Sequence, residues 1–293
     1  MEQPVVVGVD GSPSSLEAVG AAAREAALRG VGLRLVHAFG QQSPHVPPAG
    51  PPWNPASAGV RELVDGTLAE AERRARHTGP DVDIARDVVV GDPSTVLVFA
   101  SRTASLVVVG SHGHSAVGGL LLGSTAGQLA AHGLCPVLVL RGRAAPGGAV
   151  LLAADDAPAS APAVRFAFAE ARLHGAALTA VHVCRPGSAD AYDGPADPPF
   201  VTYDRSHLRE HAERVLEGAL AGQEQRYPDV AVERRPVVGR VRRTLVGASA
   251  DARLLVVGAR GRGGFAGLLL GSVSQGVLHH ARCPVAVVRD GRA

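Results

Sequence analysis

The stretch L-V-V-V-G-S-H-G, Leu106–Gly113, returns 148 residues later as L-L-V-V-G-A-R-G, Leu254–Gly261. When that offset is held without gaps, residues 91–140 and 239–288 are identical at 22 of 50 positions. Self-similarity at a fixed offset indicates a repeated structural unit. The chain is therefore predicted to contain two copies of one domain.

Each copy alternates short Val/Leu-rich runs with longer Ala-rich segments of helical character, a pattern typical of βαβ units and a parallel sheet. The linker-like stretch R-G-R-A-A-P-G-G, Arg141–Gly148, separates predicted domains at 1–143 and 149–293. The predicted strands lie near 4–9, 32–38, 84–90, 105–110 and 136–140, and again near 149–154, 177–183, 231–238, 253–258 and 284–288. The predicted helices of the first half lie near 13–29, 60–78, 93–103 and 124–132.

The composition excludes several classes of function. All 29 basic residues are arginine, and the absence of lysine excludes a Walker A loop and Schiff-base catalysis. A net charge of +2 with scattered arginines predicts no nucleic-acid partner. The chain shows neither a secretory signal nor an apolar run approaching the roughly 18 residues of a membrane span. We therefore expect a cytoplasmic protein without a membrane partner.

The cysteines and histidines give no sign of a metal centre or of a catalytic group. Cys135, Cys184 and Cys283 lack metal-ligand spacing and are expected to be small buried residues. His37 and His182 recur at the same place on the second predicted strand, where a hydrogen bond to the backbone is favoured over a catalytic role. The sequence thus predicts no catalytic residues and no metal site made of protein ligands.

A glycine segment follows the fourth predicted strand of each half with the spacing G-x2-G-x9-G-S. The residues are Gly110, Gly113, Gly123 and Ser124 in the first half, and Gly258, Gly261, Gly271 and Ser272 in the second. Loops that leave the carboxyl ends of parallel strands are where α/β sheets bind ligands. The glycines let backbone N–H groups approach a ligand, and a helix that begins at Gly-Ser, with the serine as its cap, offers further N–H groups to phosphate. Positive charge would come from Arg260 and Arg262, or from His112 and His114.

A single glycine pair after a strand is more often a tight turn than a phosphate site. The same nine-residue spacing to Gly-Ser in both halves favours phosphate binding. These segments, together with V-D-G-S after the first strand, V-H-A and V-H-V on the second, and C-P-V-x-V at the last, resemble the universal stress protein family. The resemblance covers nearly the whole of both halves, and the glycine motif marks the ATP-binding subgroup.

The resemblance implies two tandem Rossmann-like (adenine nucleotide alpha hydrolase-like) α/β domains, each with a five-stranded parallel sheet of order 3-2-1-4-5 flanked by helices. It implies ATP across the carboxyl ends of strands one, two and four, and domain pairing through the last strand. Intramolecular pairing of the two domains and a homodimer both remain open, because Pro136–Leu140 and Pro284–Val288 are predicted edge strands.

The resemblance also assigns residues to the ligand. It places Asp10 and Asp155 near the ribose or a bound metal, and Ala38, Val183, Val109 and Val257 near adenine, with Val9 and Ala154 beside them. It assigns ribose and phosphates to the glycine segments: Gly110, Gly113, Gly123, Ser124 and Thr125 in the first half, and Gly258, Gly261, Gly271, Ser272 and Val273 in the second. The second half departs from the pattern where D-G-S becomes D-D-A, Asp155–Ala157. The extra carboxylate would either repel phosphate or hold Mg²⁺.

The sequence thus predicts a nucleotide-dependent regulatory, stress-response module that binds ATP, with Mg²⁺, rather than turning it over. A slow Mg-dependent ATPase or phosphotransferase, a dimerisation scaffold without nucleotide, and a binder of cyclic AMP or AMP are the alternatives. An unidentified protein partner is expected. Only the first half keeps D-G-S and only the second carries arginines in its loop, so two sites of unequal affinity are expected.

Overall fold

The computed structural model describes residues 3–39, 58–113, 122–185, 205–261 and 269–289. The chain divides into two units, unit 1 from Met1 to Leu140 and unit 2 from Arg141 to Asp290.

Unit 1 alternates strands and helices along the chain. Its strands are β1 (Val5–Gly8), β2 (Leu33–Phe39), β3 (Ile84–Val90), β4 (Leu106–Gly110) and β5 (Val137–Leu140). Its helices are α1 (Pro13–Arg29), α2 (Ala58–Thr78), α3 (Pro93–Ala100) and α4 (Ser124–His132).

Unit 2 repeats this order with one short extra helix. Its strands are β6 (Val150–Ala153), β7 (Leu178–Cys184), β8 (Val232–Val238), β9 (Leu254–Gly258) and β10 (Val285–Val288). Its helices are α5 (Ala161–Leu173), α6 (Arg205–Leu220), α7 (Gln223–Arg226), α8 (Val241–Ala248) and α9 (Ser272–His280). Short 3₁₀ turns precede α5 at Pro158–Ser160 and follow α8 at Ser249–Asp251.

The sheet of each unit is parallel. Unit 1 has the order β3-β2-β1-β4-β5, and unit 2 has the order β8-β7-β6-β9-β10. Counted from the first strand of each unit, both read 3-2-1-4-5. Val5 pairs with Leu33 on one side and Leu106 on the other, and Val150 pairs with Leu178 and Leu254. The predicted α/β fold class with flanking helices is confirmed.

The core consists of aliphatic strands covered by Ala-rich helix faces. Val5, Val6 and Val7 of β1 are fully buried, as is the alanine stripe of α1. Continuous apolar strands are what a parallel sheet with helices on both faces requires. The small alanine side chains let α1 pack closely on β1 and β4, which fixes where the helix begins relative to the strand ends.

Helix α1 shows how the local sequence sets those ends. The Ser12 side chain accepts a hydrogen bond from the Ser15 N–H, so Ser12 is the N-cap, and Pro13 occupies the first turn. Gly30, with φ 68°, ends the helix in the left-handed conformation that glycine adopts without strain. Within the ranges that the structure describes, no helix is both long enough and apolar enough to cross a membrane.

Candidate functional site

The carboxyl ends of three neighbouring strands carry the residues predicted to lie near adenine. In unit 1 these are Val9 after β1, Ala38 near the end of β2 and Val109 on β4, and the strand order places β1 between the other two. Val9 and Val109 are each 4% exposed. Unit 2 places Ala154 after β6, Val183 on β7 and Val257 on β9 in the same way. The structure therefore brings each predicted set together at one edge of its sheet.

Asp10 is held in a fixed position between β1 and α1. Its Oδ1 accepts hydrogen bonds from the Ser12 N–H at 2.9 Å and the Ser12 hydroxyl at 2.6 Å. The Ser15 hydroxyl accepts the N–H of Gly11 at 3.1 Å, and Gly11 adopts φ 86° in this turn. The motif V-D-G-S thus forms a closed turn in which Ser12 binds Oδ1 of Asp10, while the second carboxylate oxygen, Oδ2, lies near Gly113.

The glycine loop meets that second oxygen. A β-carbon on Gly113 would lie 2.6 Å from Asp10 Oδ2, so any side chain there would have to displace the carboxylate. The corresponding β-carbon on Gly261 would also lie 2.6 Å from Asp155 Oδ2. Both units therefore bring the backbone of the second motif glycine against the first-strand aspartate, and only glycine permits that approach.

Glycine is required at position 110, the first motif glycine of unit 1, for a different reason. A β-carbon on Gly110 would overlap Ser14 of α1, so glycine there lets the helix approach the end of β4. In unit 2 the β-carbon of Gly258 would be 3.1 Å from the Arg260 carbonyl, a tight but less severe contact. In unit 2 this turn is instead stabilised by Ser274, whose hydroxyl donates a hydrogen bond to the Gly258 carbonyl at 2.7 Å.

The loop returns to the start of a helix in both units. The Gly123 N–H donates to the Ser111 carbonyl at 2.7 Å, and the Gly271 N–H donates to the Ala259 carbonyl at 2.9 Å. The expectation that Ser124 and Ser272 cap these helices is wrong. The N-caps are Gly123 and Gly271, without a side-chain cap, because the serines are already the first helical residues.

Because Ser124 and Ser272 are the first helical residues, the N-termini of α4 and α9 can offer donors to a ligand. The first N–H groups of a helix, here those beginning at Ser124 with Thr125 and at Ser272 with Val273, have no acceptor inside the helix. They carry the positive end of the helix dipole and favour an anion. With no capping role, the serine hydroxyls stand beside these N–H groups as additional donors.

Unit 2 holds its aspartate by a different turn. Asp155 Oδ1 accepts the Ala157 N–H at 2.5 Å and the Ser160 hydroxyl at 3.2 Å. Ala157 stands where unit 1 has the capping Ser12, and the chain forms the 3₁₀ turn Pro158–Ser160 before α5. The D-D-A departure therefore alters the beginning of the helix while leaving the Asp155 carboxylate at its glycine.

His37 and His182 each form a hydrogen bond with the backbone of the residue that precedes the aspartate. His37 Nδ1 lies 2.8 Å from the Val9 carbonyl, and His182 Nδ1 lies 2.8 Å from the Ala154 carbonyl. Because a carbonyl only accepts, each Nδ1 carries the proton and donates. The predicted hydrogen bond to the backbone is confirmed, and both histidines position the aspartate turn.

The cations near the glycine loops are concentrated in unit 2. Arg260 is exposed, and Arg289, just after β10, donates to the Leu269 carbonyl at 2.7 Å. Burial and the positive charge of Arg260 lower the pKa of Arg289. Sequence reasoning missed Arg289, since it lies far along the chain from the motif. Two cations that repel each other are stabilised by an anion between them.

In unit 1 the corresponding loop position holds His112, whose Nδ1 is 2.8 Å from the Ser111 hydroxyl. Arg262 and His114 lie outside the described residues.

Two other features of unit 2 lie away from this site. A cavity of about 340 Å³ is lined by residues at the amino ends of β6, β7 and β8, among them Thr179 and Glu233, and by Asp251 in the 3₁₀ turn before β9. Ligands of α/β sheets bind at the opposite, carboxyl ends. On β8, Arg234 pairs with Glu224 and Arg235 pairs with Glu233, so both arginine charges are neutralised locally.

The cysteines separate into two kinds. Burial raises the pKa of Cys135 and of Cys283 to about 12. Cys283 is buried, as expected, whereas Cys135 is only partly buried. Cys184 instead lies beside His182 and His211, with one ligand atom of each side chain within 4.8 Å of the other two. The only signal in the sequence is H-x-C on β7, because His211 is far along the chain on α6.

The comparisons with known proteins agree with the repeat. The model of the universal stress protein family matches residues 1–141 and again 148–289. The universal stress protein Rv2005c of Mycobacterium tuberculosis is 39% identical over 296 residues, which cover 98% of this chain and 97% of that protein. A second, Rv2623, is 36% identical over 302 residues, covering 98% and 96%.

A solved structure shows the same fold. The crystal structure of a universal stress protein from Archaeoglobus fulgidus matches with a TM-score of 0.69 at 20% identity and covers 99% of this chain and 97% of that one. The two family matches and the full-length relatives lead to one conclusion: the chain belongs to the universal stress protein family, in its tandem two-domain form.

Proposed function

We propose that this protein is a nucleotide-dependent regulatory module whose two sites bind ATP, and that binding rather than turnover is its main event. The observation that carries the proposal is the contact between a glycine backbone and the first-strand aspartate, Gly113 with Asp10 and Gly261 with Asp155. A side chain at either glycine would fill the space in which a ribose or phosphate lies against the carboxylate. Duplication of this contact in both units supports a shared ligand.

The chemistry of the surrounding groups fits an adenine nucleotide. Val9, Ala38 and Val109 provide an apolar edge for a flat base, and unit 2 repeats that edge. The N-termini of α4 and α9 offer N–H groups to phosphates. Positive charge for the phosphates would come in unit 2 from Arg260 and Arg289, which are close enough to affect each other's charge.

A magnesium ion would accompany the phosphates. Asp10 Oδ2 and Asp155 Oδ2 are carboxylate oxygens at the glycine loops, and Mg²⁺ prefers one or two carboxylates together with phosphate oxygens. Asp156 supplies unit 2 with a second carboxylate next to Asp155. We propose that this additional charge favours the magnesium complex over the free nucleotide in unit 2.

Mass spectrometry of the gently purified chain, in native and denaturing modes, tests the proposal. We expect ATP to be retained, with as many as two molecules per chain. Retention of AMP or cyclic AMP instead would replace ATP as the ligand. Failure to retain or rebind any adenine nucleotide would favour a scaffold without a ligand.

The slow ATPase or phosphotransferase is tested separately by turnover at saturating Mg-ATP. We expect less than about 1 per second, the low end of ordinary enzymes. Both aspartates already accept hydrogen bonds that hold them in their turns, which favours a positioning role over that of a general base. Turnover at or above that rate, abolished by Asp10→Asn together with Asp155→Asn, would contradict a binding role.

A further inference from the structure

Besides the residues of the candidate nucleotide site, unit 2 contains a cluster of two histidine side chains and one cysteine side chain, on β7 and α6. His182 and Cys184 are two residues apart on one strand, so their side chains lie on the same face of the sheet. His211 reaches them from α6, and the His182 and His211 rings meet edge to face with centroids 6.4 Å apart. One ligand atom from each side chain lies within 4.8 Å of the other two.

The ring of His182 is oriented as a metal ligand is. Its Nδ1–H donates to the Ala154 carbonyl at 2.8 Å, which leaves Nε2 as the nitrogen with a lone pair. Metal-binding histidines almost always donate their other N–H to a carbonyl or carboxylate, which fixes the tautomer and the ring. The backbone therefore presets His182 for coordination through Nε2.

His211 gives an independent indication. Its Nε2 is buried and has no hydrogen-bond partner in the part of the chain that the structure describes. Leaving a buried polar atom without a partner is energetically costly, so most buried polar groups in native proteins have one. Coordination of a cation would satisfy this nitrogen.

Packing holds the three side chains in place. Cys184 is 5% exposed and forms a buried cluster with Leu208 and Ala212 of α6, against which Val238 of β8 packs. Leu208 and Ala212 flank His211 in sequence, so the same contacts that dock α6 onto the sheet bring the imidazole to the thiol. In a tetrahedral zinc site each ligand atom lies about 2.0–2.3 Å from the metal. The three side chains would have to move only slightly closer together to reach that geometry.

We propose that His182, Cys184 and His211 form a binding site for one Zn²⁺ ion. One thiolate and two imidazoles suit Zn²⁺, whereas Mg²⁺ and Ca²⁺ prefer oxygen ligands. Three protein ligands leave a fourth position for water or another ligand. The proposal does not depend on nucleotide binding.

The repeat provides an internal comparison. Unit 1 keeps His37 with the same bond to the backbone, but Phe39 stands where unit 2 has Cys184. The Phe39 ring lies 6.3 Å from that of His37 and offers no ligand atom. The expected stoichiometry is therefore one metal ion per chain, carried by unit 2.

The test is a titration of the full, chelator-treated chain with Zn²⁺ and, as a spectroscopic probe, with Co²⁺. We expect one ion per chain and a thiolate-to-cobalt charge-transfer band, which zinc added afterwards abolishes. Cys184→Ser should remove the band and, like His211→Gln, weaken zinc binding by about tenfold or more, the loss that even outer-shell substitutions cause. Cys135→Ser, which removes a thiol elsewhere, is the matched control and should change neither.

Two results would overturn the proposal. One is the absence of stoichiometric binding to the unaltered chain. The other is an unchanged cobalt spectrum and affinity in Cys184→Ser and His211→Gln, which would place the metal elsewhere. Circular dichroism verifies that each variant folds, and His211→Gln, on a half-buried helix position, keeps the test valid if Cys184→Ser does not fold.

Discussion

At the scale of single residues, the candidate nucleotide site depends on which atoms approach the aspartates. The 2.6 Å separation between a built β-carbon and the carboxylate recurs at Gly113 and Gly261, although the turns that hold Asp10 and Asp155 differ. One turn relies on Ser12 and the other on Ala157 and Ser160. The glycine therefore approaches the aspartate equally closely in both units, although different residues hold the aspartate in place.

We expect Arg260 to contribute more to nucleotide affinity than His112, which occupies the corresponding loop position of unit 1. Arg260→Gln is expected to weaken ATP binding to unit 2 by about tenfold, the loss of one charge-assisted hydrogen bond to phosphate. It should also reduce the dependence of that affinity on salt. Isothermal titration at two ionic strengths measures both effects.

His112→Gln is the matched control for Arg260→Gln, because it alters the same loop position of unit 1. We expect a smaller change, because the Nδ1 of His112 already lies within hydrogen-bond distance of the Ser111 hydroxyl. An Arg260→Gln variant with unaltered affinity and salt dependence would show that Arg260 does not face the phosphates.

At the scale of elements, the two units use helix caps differently. Asp92 caps α3 by accepting the Thr95 N–H at 3.0 Å. Hydrogen bonds from Ser94 and then from Thr95 lower the pKa of Asp92 below its ordinary value. In unit 2 the N-cap of the corresponding helix α8 is Arg240, which makes no side-chain cap hydrogen bond. Only unit 1 should therefore gain stability from this cap.

Asp92→Ala should lower the free energy of unfolding by about 1 kcal/mol at pH 7. Because the pKa is depressed in the folded state, the contribution of Asp92 is present above its unfolded pKa of about 3.9 and is lost as the pH falls through the folded value. The difference between the variant and the unaltered chain should thus shrink below about pH 4. Urea denaturation at several pH values checks this, and a difference independent of pH would contradict the role of the ionised cap.

The long helices of both units contain glycines that packing does not require. Gly66 in α2 and Gly218 in α6 are exposed, and a β-carbon there would meet no atom within 4 Å. Gly66→Ala and Gly218→Ala should each raise the free energy of unfolding by about 0.5–1 kcal/mol, because glycine loses more backbone entropy in a helix. Denaturant titration measures this, and destabilisation by either change would contradict the described helix.

The sequence predicted most elements to within a few residues because the signals were local. Val-rich runs ending in glycine or aspartate marked β1, β4, β6 and β9, and Pro13 marked the beginning of α1. The capping prediction at Ser124 failed because cap position depends on where the chain leaves the loop, which the Gly123 to Ser111 hydrogen bond decides. Arg289 and the His182, Cys184 and His211 cluster were missed because their proximity arises from the packing of distant segments.

At the scale of the whole molecule, the two repeated units carry candidate sites that are not equivalent. Unit 1 retains the closed D-G-S turn, whereas unit 2 has a second carboxylate, the Arg260 and Arg289 pair, and the candidate zinc ligands. Equal affinity of the two sites for ATP would require these differences to cancel. We therefore expect two distinguishable binding constants and, for the chain as a whole, a response that depends on which site is filled.

The most direct test is a calorimetric titration with Mg-ATP of the unaltered chain, of Gly113→Val, of Gly261→Val and of the double variant, with Gly66→Ala as the control. We expect two sites in the unaltered chain and the control, one site in each single variant, and none in the double variant, since a valine β-carbon 2.6 Å from the aspartate oxygen would force the carboxylate out of its position. Unchanged stoichiometry and affinity in the folded double variant would contradict the assignment of both sites.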